Sequence, residues 1–149
     1  TECVYNPQYN ARGARGLIDG LRGSVNWKTG GWQGYQNTDF IAVLDLRGER
    51  RLSTFGSGYC QDARSWIWMP TEVEYYVSQD GKEYEFVGKV KNRVDPKDYT
   101  IQVDDFVLNT SPVKAKFVKV VAKNFGTIPE WHLGAGGKAF IFIDEIWVE

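Results

Sequence analysis

The residues of this chain that are best suited to chemistry are concentrated in one stretch, YCQDARSWIWMP, at positions 59–70. It contains three planar polar side chains and two tryptophans, namely Gln61, Asp62, Arg64, Trp66 and Trp68. A pyranose ring has C–H bonds on one face and hydroxyls around its rim, so aromatic rings beside planar polar groups can bind it. In an extended strand Trp66 and Trp68 would share one face, so the pattern leaves open whether they bind a ligand or fill the core.

Catalytic motifs are absent from the sequence. There is no GxSxG nucleophile motif, no HExxH zinc motif and no glycine-rich phosphate loop before a helix. His132 is the single histidine, and a lone loop histidine is more often a hydrogen-bonding surface group than a catalyst. The acidic pairs at 104–105 and 144–145 are neighbours in predicted strands, where side chains alternate between faces, so neither suits glycoside hydrolysis. The sequence therefore argues against a free-standing glycosidase.

Charge and hydropathy argue against two classes of partner. Eighteen basic residues balance nineteen acidic ones, for a net charge of -1, so no basic surface for nucleic acid or an anionic membrane is expected. The longest apolar runs, such as residues 139–143, are far shorter than the roughly 20 residues that span a bilayer, so membrane insertion is not expected. Cys3 and Cys60 lack the spacing of a zinc ribbon, and the sequence is compatible either with a disulfide or with a free, buried Cys60.

The elements that position these residues are predicted to be β-strands, because apolar and polar residues alternate in segment after segment. Strands are predicted at 39–46, 72–78, 84–90, 99–108, 115–123 and 139–148. Asp80 and Gly81 predict a hairpin turn. Two long connections, 10–37 and 124–138, are expected to form the working surface. Residues 1–149 are thus predicted to form a single all-β domain, an antiparallel β-sandwich of the jelly-roll type.

Several segments, in this order along the chain, resemble one family. They are LIDGLRGSVNW at 17–27, GGWQGYQNTDFIAVLDL at 30–46, VEYYVSQDGKEYEFVG at 73–88 and FIDEIWVE at 142–149. They resemble the discoidin, or coagulation factor V/VIII C-type, domain, a family that includes the family 32 carbohydrate-binding modules. More narrowly, residues 61–70 and 128–146 resemble the C-terminal module of Bacteroides-type family 20 β-N-acetylhexosaminidases, often named chitobiases. The resemblance implies a galactose-binding-domain-like jelly roll without catalysis of its own.

The resemblance also implies a carbohydrate site in the loops at one end of the sandwich. It suggests that Trp131 is the stacking platform and that Arg64 and His132 donate hydrogen bonds to the sugar. Asp62 would accept hydrogen bonds from sugar hydroxyls. The set of residues expected to bind carbohydrate is Gln61, Asp62, Arg64, Trp66, Trp131 and His132. A structural salt bridge for Arg64 and a core position for Trp66 are the alternatives.

One structural Ca2+ is the cofactor that the resemblance implies. Calcium takes hard oxygen ligands, and the matching positions in this chain are Asp19, Ser24 and Glu145. In the absence of metal, Glu145 is expected to accept hydrogen bonds from loop N–H groups, Arg15 or Arg22, because an unpaired buried carboxylate is costly.

The sequence and the resemblance together predict a non-catalytic carbohydrate-binding module appended to a β-N-acetylhexosaminidase, with hydrolysis in a separate catalytic domain. The expected ligand is a glycan that contains galactose or an N-acetylhexosamine, and the expected setting is secreted, periplasmic or on the outer surface of a bacterium. The start at Thr1 indicates either a processed product or, as we favour, a piece cut from a longer polypeptide, and the resemblance implies that this piece is the C-terminal fragment of a larger glycoside hydrolase. The alternative function is structural packing against that catalytic domain through an apolar surface around Trp32, Tyr35 and Trp66.

Overall fold

The computed structural model describes all 149 residues, and its secondary structure is mostly β-strand. The strands are β1 (Gln33–Gln36), β2 (Phe40–Gln61), β3 (Glu72–Ser78), β4 (Glu85–Lys91), β5 (Gln102–Ala122) and β6 (Phe140–Val148). Short 3-10 helices cover Gly13–Leu17, Trp27–Thr29 and Ala63–Ser65. No helix has the length and apolar character needed to cross a membrane.

The strands are all antiparallel and lie in the order β1-β6-β2-β5-β3-β4. Two long strands fold this sheet into two layers. Residues 40–45 of β2 pair with the end of β5, whereas residues 54–61 pair with its beginning. β3 pairs with the end of β5, and β6 pairs with the last part of β2. One layer therefore contains β1 and β6 and the other contains β3 and β4, which confirms the predicted antiparallel β-sandwich.

The corner between the two layers lies where the long strands bend. The register shifts after Asp45, so that residues 46–49 of β2 stand opposite Lys116 alone. Arg47 and Gly48 have φ angles of 55° and 145°, and the Arg47 N–H donates to Asp45 Oδ1 at 2.8 Å. An insertion of this kind bends a strand sharply, which lets β2 leave one layer and return in the other.

The predicted strands are right in position, but β1 and residues 47–61 of β2 are not among them, and the single strand β5 was predicted as two strands. The predicted strand 39–46 is the first part of β2, and the predicted strands 99–108 and 115–123 correspond to the two halves of β5. Period-two alternation is lost at the polar corner, which is why the pattern indicated separate strands. Gly81, with a φ of 73°, lies in the predicted turn between β3 and β4.

The main core fills the space between the layers. It includes large side chains from β2 to β6, among them Phe55, Tyr59, Tyr75, Phe106 and Ile143, each at most 1% exposed. Because side chains alternate along a strand, the immediate sequence neighbours of these residues face the other side of the sheet. The core thus accounts for the period-two pattern of the sequence.

A second cluster lies on the outer face of the layer that contains β1 and β6. Cys60 and Phe142 alternate with core residues of their strands and pack with Trp32, while Trp27 in the long N-terminal connection packs against the cluster. Cys3 and Cys60 are both free thiols. Burial raises the pKa of the Cys60 thiol to about 12. The N-terminal connection therefore serves in part as a cover for the sheet.

Trp32 and Tyr35 are core residues, so the docking surface expected around them is wrong. Their exposed fractions are 2% and 0%. The Trp32 indole N–H donates to the Ser24 carbonyl at 3.0 Å, and the Tyr35 hydroxyl donates to Gln33 Oε1 at 2.8 Å. Their rings are buried and their polar atoms hydrogen-bonded inside the domain, so neither residue offers apolar surface to a second domain, whereas Trp66, the third residue of the expected surface, is partly exposed.

Three connections meet at the end of the sandwich opposite the corner, because β2 and β5 both begin and end there. They are residues 62–71, 92–101 and 123–139. The Asn92 N–H donates to the Thr71 carbonyl at 3.0 Å, and the Thr71 N–H donates to the Lys123 carbonyl at 2.9 Å. These three connections form the candidate functional site.

Candidate functional site

An open groove of about 620 Å³ lies among these connections. It is lined by Arg64, Trp66, Tyr99, His132, Leu133 and Gly134. Three of these residues, Arg64, Trp66 and His132, belong to the predicted carbohydrate-binding set, and a fourth predicted residue, Trp131, contacts His132 at the edge of the groove. The fold thus brings four of the six predicted residues together from two distant parts of the chain.

His132 is a structural anchor of the groove rather than a free donor. It is 6% exposed, and its Nε2 lies 2.7 Å from the Ala63 carbonyl oxygen. The Gly134 N–H donates to Nδ1 at 2.8 Å. Because a carbonyl only accepts hydrogen bonds, Nε2 carries the proton and Nδ1 is the acceptor. Both ring nitrogens are engaged, so the predicted role of His132 as a donor to sugar does not fit this geometry.

Trp66 forms part of the groove wall. Its φ of 68° is left-handed, which breaks the extended conformation and separates it from Trp68. Its indole lies against Gly134 and Gly137, where a Cβ on Gly134 would stand 2.5 Å from the indole Nε1. These two glycines provide the space for the ring, and no protein group accepts a hydrogen bond from its indole N–H.

Trp68, by contrast, is a core residue, which is one of the two roles that the sequence left open for the tryptophans of residues 59–70. It is 1% exposed, stacks on Phe125 with a centroid distance of 4.9 Å, and donates its indole N–H to the Pro96 carbonyl at 3.0 Å. The two tryptophans of the motif therefore divide between the groove and the core.

Two exposed aromatic rings flank His132. Tyr99 is 38% exposed and stacks on the imidazole at 6.0 Å with an interplanar angle of 9°. Trp131 is 39% exposed and meets the imidazole edge to face at 5.9 Å. Tyr99 was missed by sequence reasoning, although a single aromatic residue within the polar run DPKDYT was a usable signal. The exposed rings provide apolar surface next to the groove.

Two cations lie over these rings. The Arg64 guanidinium carbon is 5.9 Å from the Tyr99 ring centroid, and Lys97 Nζ is 5.5 Å from that of Trp131. Neither cation forms an ion pair with a protein carboxylate. The salt bridge considered for Arg64 is therefore not formed, and its guanidinium donors face solvent at the groove.

Gln61 and Asp62 do not enter the groove. Gln61 is fully buried, and its amide donates to the carbonyls of Asp95 and Asp98 at 2.9 and 3.2 Å. Asp62 Oδ2 accepts hydrogen bonds from the Trp27 indole N–H and the Ser65 hydroxyl, both at 2.9 Å. Their positions at the end of β2 turn these side chains into the protein, where they organise the surrounding connections. We leave both out of the sugar-contacting set.

The residues expected to bind calcium are only partly brought together. Asp19 pairs with Arg12 at 2.7 Å, and the Ser24 hydroxyl donates to the Asn26 carbonyl at 3.3 Å. Glu145 Oε2 is buried without a hydrogen-bond partner. Burial and the negative charge of Asp19 raise the pKa of Glu145. No group of three or more Asp, Glu, His or Cys side chains is arranged to hold a metal ion, so carbonyl oxygens would have to complete such a site.

The acidic pair Asp144 and Glu145 lies in a β-bulge. A register shift between β2 and β6 places both residues opposite Gly58. Both carboxylates contact the same loop, since Asp144 accepts from the Gly23 N–H at 2.9 Å and Glu145 from the Gly20 N–H at 3.1 Å. The expectation that they face opposite sides of a strand is therefore wrong, because the bulge inserts a residue and interrupts the alternation.

Arg22 neutralises part of this acidic region. Its Nε donates to Asp144 Oδ2 at 2.9 Å, and its guanidinium also pairs with Asp105. A side chain at Gly58 would overlap both Arg22 and Asp144. Glu145 accepts a loop N–H, as expected for the metal-free state, but neither Arg15 nor Arg22 binds it. These ion pairs hold the loop on the sheet.

The chain belongs to the F5/8 type C domain family, whose model matches residues 1–137. The resemblance deduced from the sequence motifs is thereby confirmed. Among curated proteins, none is significantly similar to this chain.

Solved structures with the same fold include several carbohydrate-binding modules. The module CpGH89CBM32-5 from Clostridium perfringens, in complex with GalNAc-β-1,3-galactose, has a TM-score of 0.53 and 21% identity, covering 91% of this chain and 81% of its own. The module CBM32-1 from a family 31 glycoside hydrolase of the same organism has a TM-score of 0.55 and 16% identity, and the match covers 99% of this chain and 89% of that module. A fragment of a Bacteroides thetaiotaomicron protein that is named as a chitobiase has a TM-score of 0.61 and 13% identity. The match covers 92% of this chain and 74% of the fragment. At these identities the likeness establishes the shared β-sandwich.

Proposed function

We propose that this F5/8 type C domain is a non-catalytic carbohydrate-binding module that holds a glycan in the groove at the end of the sandwich. The observation that carries the proposal is the combination, in one groove, of a tryptophan wall, an adjacent exposed tyrosine and an unpaired arginine. Similar folds with bound or named carbohydrate ligands support it, including the Clostridium perfringens module described above.

The groove has the two kinds of group that a sugar requires. Trp66, Tyr99 and Trp131 offer ring surface to the C–H face of a pyranose. Arg64 and the indole N–H of Trp66 offer hydrogen-bond donors that no protein acceptor occupies, and these can bind the hydroxyl rim. His132 contributes indirectly, because it fixes the turn that carries Arg64 to the loop that carries Trp131.

We further propose that the domain is carried by a glycoside hydrolase, of the β-N-acetylhexosaminidase class, and works outside the bacterial cytoplasm. Support comes from structural neighbours, which include a module of a family 31 glycoside hydrolase and a protein fragment named as a chitobiase. A tethered module of weak affinity would still be useful, since tethering raises the effective concentration of substrate near the catalytic domain.

A titration followed by protein-observed NMR tests the binding proposal. Galactose, N-acetylglucosamine, N-acetylgalactosamine and chitobiose are added separately to the labelled domain. Shifts are expected at residues 64–66, 99 and 131–134, because the groove is the contact surface. The absence of shifts with all four sugars at millimolar concentrations would reject binding of these neutral sugars.

The variant Trp131→Ala distinguishes a stacking platform from a structural tryptophan. We expect it to weaken binding of the sugar identified by the titration roughly fivefold, since stacking of an aromatic ring contributes on the order of 1 kcal/mol. Its Tm should change little, because the ring is 39% exposed. Phe86→Ala is the matched control, as Phe86 is an exposed aromatic residue on β4 outside the groove. Retained affinity with a large fall in Tm would make Trp131 structural.

We also propose that Asp19 and Glu145 hold one Ca2+ together with carbonyl oxygens of the intervening loop. The buried, unpartnered Oε2 of Glu145 supports this, because a hard cation would supply the missing partner. Asp19 would have to exchange Arg12 for the metal. The side chain of Ser24 is directed to Asn26 and is not included in this set.

A further inference from the structure

We infer that the groove selects an acidic sugar residue, one that carries a carboxylate or a sulfate on its ring. This inference rests on the proposed carbohydrate-binding function and names the ligand class for the same groove. It follows from the balance of charges and of hydrogen-bonding groups around Arg64.

The guanidinium of Arg64 lies at the groove without a partner carboxylate. None of the groove-lining residues is acidic. Arg64 is exposed on the Ala63–Ser65 turn, and its only close partner is the Tyr99 ring at 5.9 Å. A guanidinium presents paired donors in a planar fork that matches a carboxylate or a sulfate.

Asp62, Asp95 and Asp98 lie in the connections that form this end of the sandwich, and their carboxylates hydrogen-bond to groups other than Arg64. Asp62 accepts hydrogen bonds from Trp27 and Ser65. Asp95 Oδ1 caps the backbone N–H of Lys97 at 2.8 Å, and Asp98 Oδ1 caps that of Thr100 at 2.9 Å. None of these carboxylates forms an ion pair with Arg64, so its positive charge is available to a ligand.

Lys97 adds a second unpaired cation beside the groove. Its ammonium lies over the Trp131 ring, while the Arg64 guanidinium lies over that of Tyr99. Trp131 and Tyr99 both contact His132, so the two cations flank one aromatic surface. Asp95 and Asp98 flank Lys97 in sequence, so the unpaired cation within the groove itself, where no lining residue is acidic, is Arg64.

The hydrogen-bonding groups of the groove are unbalanced in the same direction. Among the groove-lining side chains, Arg64 and the Trp66 indole N–H are donors without acceptors, the acceptor nitrogen of His132 is used by Gly134, and the Tyr99 hydroxyl is the remaining group that can accept. A neutral sugar brings both donors and acceptors in its hydroxyls, and the Tyr99 hydroxyl is the one side-chain acceptor that the groove lining leaves for its donors. An anionic substituent brings acceptors alone, and therefore matches what the groove lacks.

The test compares ligands that differ in charge. Trigalacturonic acid, its methyl-esterified form and galactose 6-sulfate are titrated separately into the domain, with NMR shifts and calorimetry as readouts. We expect at least one anionic ligand to bind roughly tenfold more tightly than the ester, because charge-assisted hydrogen bonds are about twice as strong as neutral ones. The affinity should fall as NaCl is increased, since the site is exposed. The preference between the carboxylate and the sulfate ligand identifies the source of the charge.

The variants separate the role of the guanidinium from that of charge alone. Arg64→Gln should abolish the preference for the anionic ligand over the ester, and Arg64→Lys should retain only part of it, because an ammonium lacks the planar fork. Lys82→Gln removes an exposed cation from the β3–β4 turn and should leave the preference unchanged. Heteronuclear spectra of each variant establish that the fold is intact.

The outcomes distinguish the inference from the function on which it rests. Equal binding of acid, sulfate and ester, with shifts in the groove, would overturn the acidic-sugar inference and leave the carbohydrate-binding function in place. A preference that survives Arg64→Gln would also overturn it. Absence of groove shifts with these three ligands and with the four neutral sugars would overturn both.

Discussion

At the scale of single residues, the site depends on how each polar atom is used. His132 illustrates this, because a single loop histidine is compatible with sugar binding, catalysis or structure. Its two nitrogens bind the Ala63 carbonyl and the Gly134 N–H, which assigns it to structure. Arg64 is the opposite case, since it has no carboxylate partner and remains available to a ligand.

The variant His132→Ala is expected to destabilise the domain. It removes two hydrogen bonds and leaves the Gly134 N–H unpaired, whereas the Ala63 carbonyl keeps the Trp66 N–H at 3.2 Å, for a cost of about 2 kcal/mol. For a domain of this size the Tm would fall by roughly 4–8 °C. Differential scanning calorimetry measures the shift, with Trp131→Ala as the neighbouring control. An unchanged Tm for His132→Ala would show that the two hydrogen bonds contribute little to stability.

At the scale of elements, the groove depends on one turn and one glycine-rich loop that fit together. The Ala63–Ser65 turn ends at Trp66 in a left-handed conformation, which sends the indole onto the loop that contains Gly134 and Gly137. The isolated bridge between Ile67 and β6 holds the turn in place. The position of the Trp66 indole in the groove wall is therefore set by its steric fit against Gly134 and Gly137.

The variant Gly134→Ala is expected to weaken glycan binding by displacing Trp66. The added methyl would lie 2.5 Å from the indole Nε1, closer than van der Waals contact allows, so the ring must move. The same titration measures the loss of affinity, and the Trp66 indole N–H resonance reports the displacement. Ala135→Ser, at an exposed position one residue away, is the control and should bind normally. Unaltered affinity for Gly134→Ala would exclude Trp66 from the contact surface.

At the scale of the whole molecule, the two long bent strands bring the site together. β2 and β5 leave the loop end in one layer, turn at the corner and return to the loop end in the other layer. The connections that follow β2, β4 and β5 therefore converge, although Arg64 and Trp131 are far apart in sequence. The long N-terminal connection is held elsewhere, against the sheet and the Asp144–Glu145 bulge.

Calcium is expected to stabilise the whole domain through this N-terminal connection. After treatment with EDTA, addition of Ca2+ to about 100 times its Kd should raise the stability by about 2.7 kcal/mol, or the Tm by roughly 5–11 °C. Asp19→Ala should remove the effect, whereas Glu83→Ala, which alters an exposed acid in the β3–β4 turn, should retain it. Addition of Mg2+ is the ion control. If Ca2+ does not shift the Tm of the parent domain, the metal proposal is withdrawn.

Much of the architecture could be predicted from the sequence because the core is periodic. Phe40 and Ala42, like Tyr75 and Val77, recur every second residue, and such a pattern fixes which face of a strand is buried. The ordered motifs then identified the F5/8 type C family, and Trp131 and Arg64 were recognised as surface candidates. The alternation failed at the Asp144–Glu145 bulge and at the β2 corner, where extra residues change the direction of side chains.

The sequence by itself determined the all-β class, the positions of most strands and the family, because these depend on local alternation and on ordered motifs. Only the tertiary structure decided that Gln61, Asp62 and His132 are used internally, and that Tyr99 and Lys97 join Arg64 at the groove. The physical reason is that a side chain is free to bind a ligand only when no other part of the fold satisfies it. The partners that do so here, such as Trp27 for Asp62 and Ala63 for His132, lie tens of residues away along the chain.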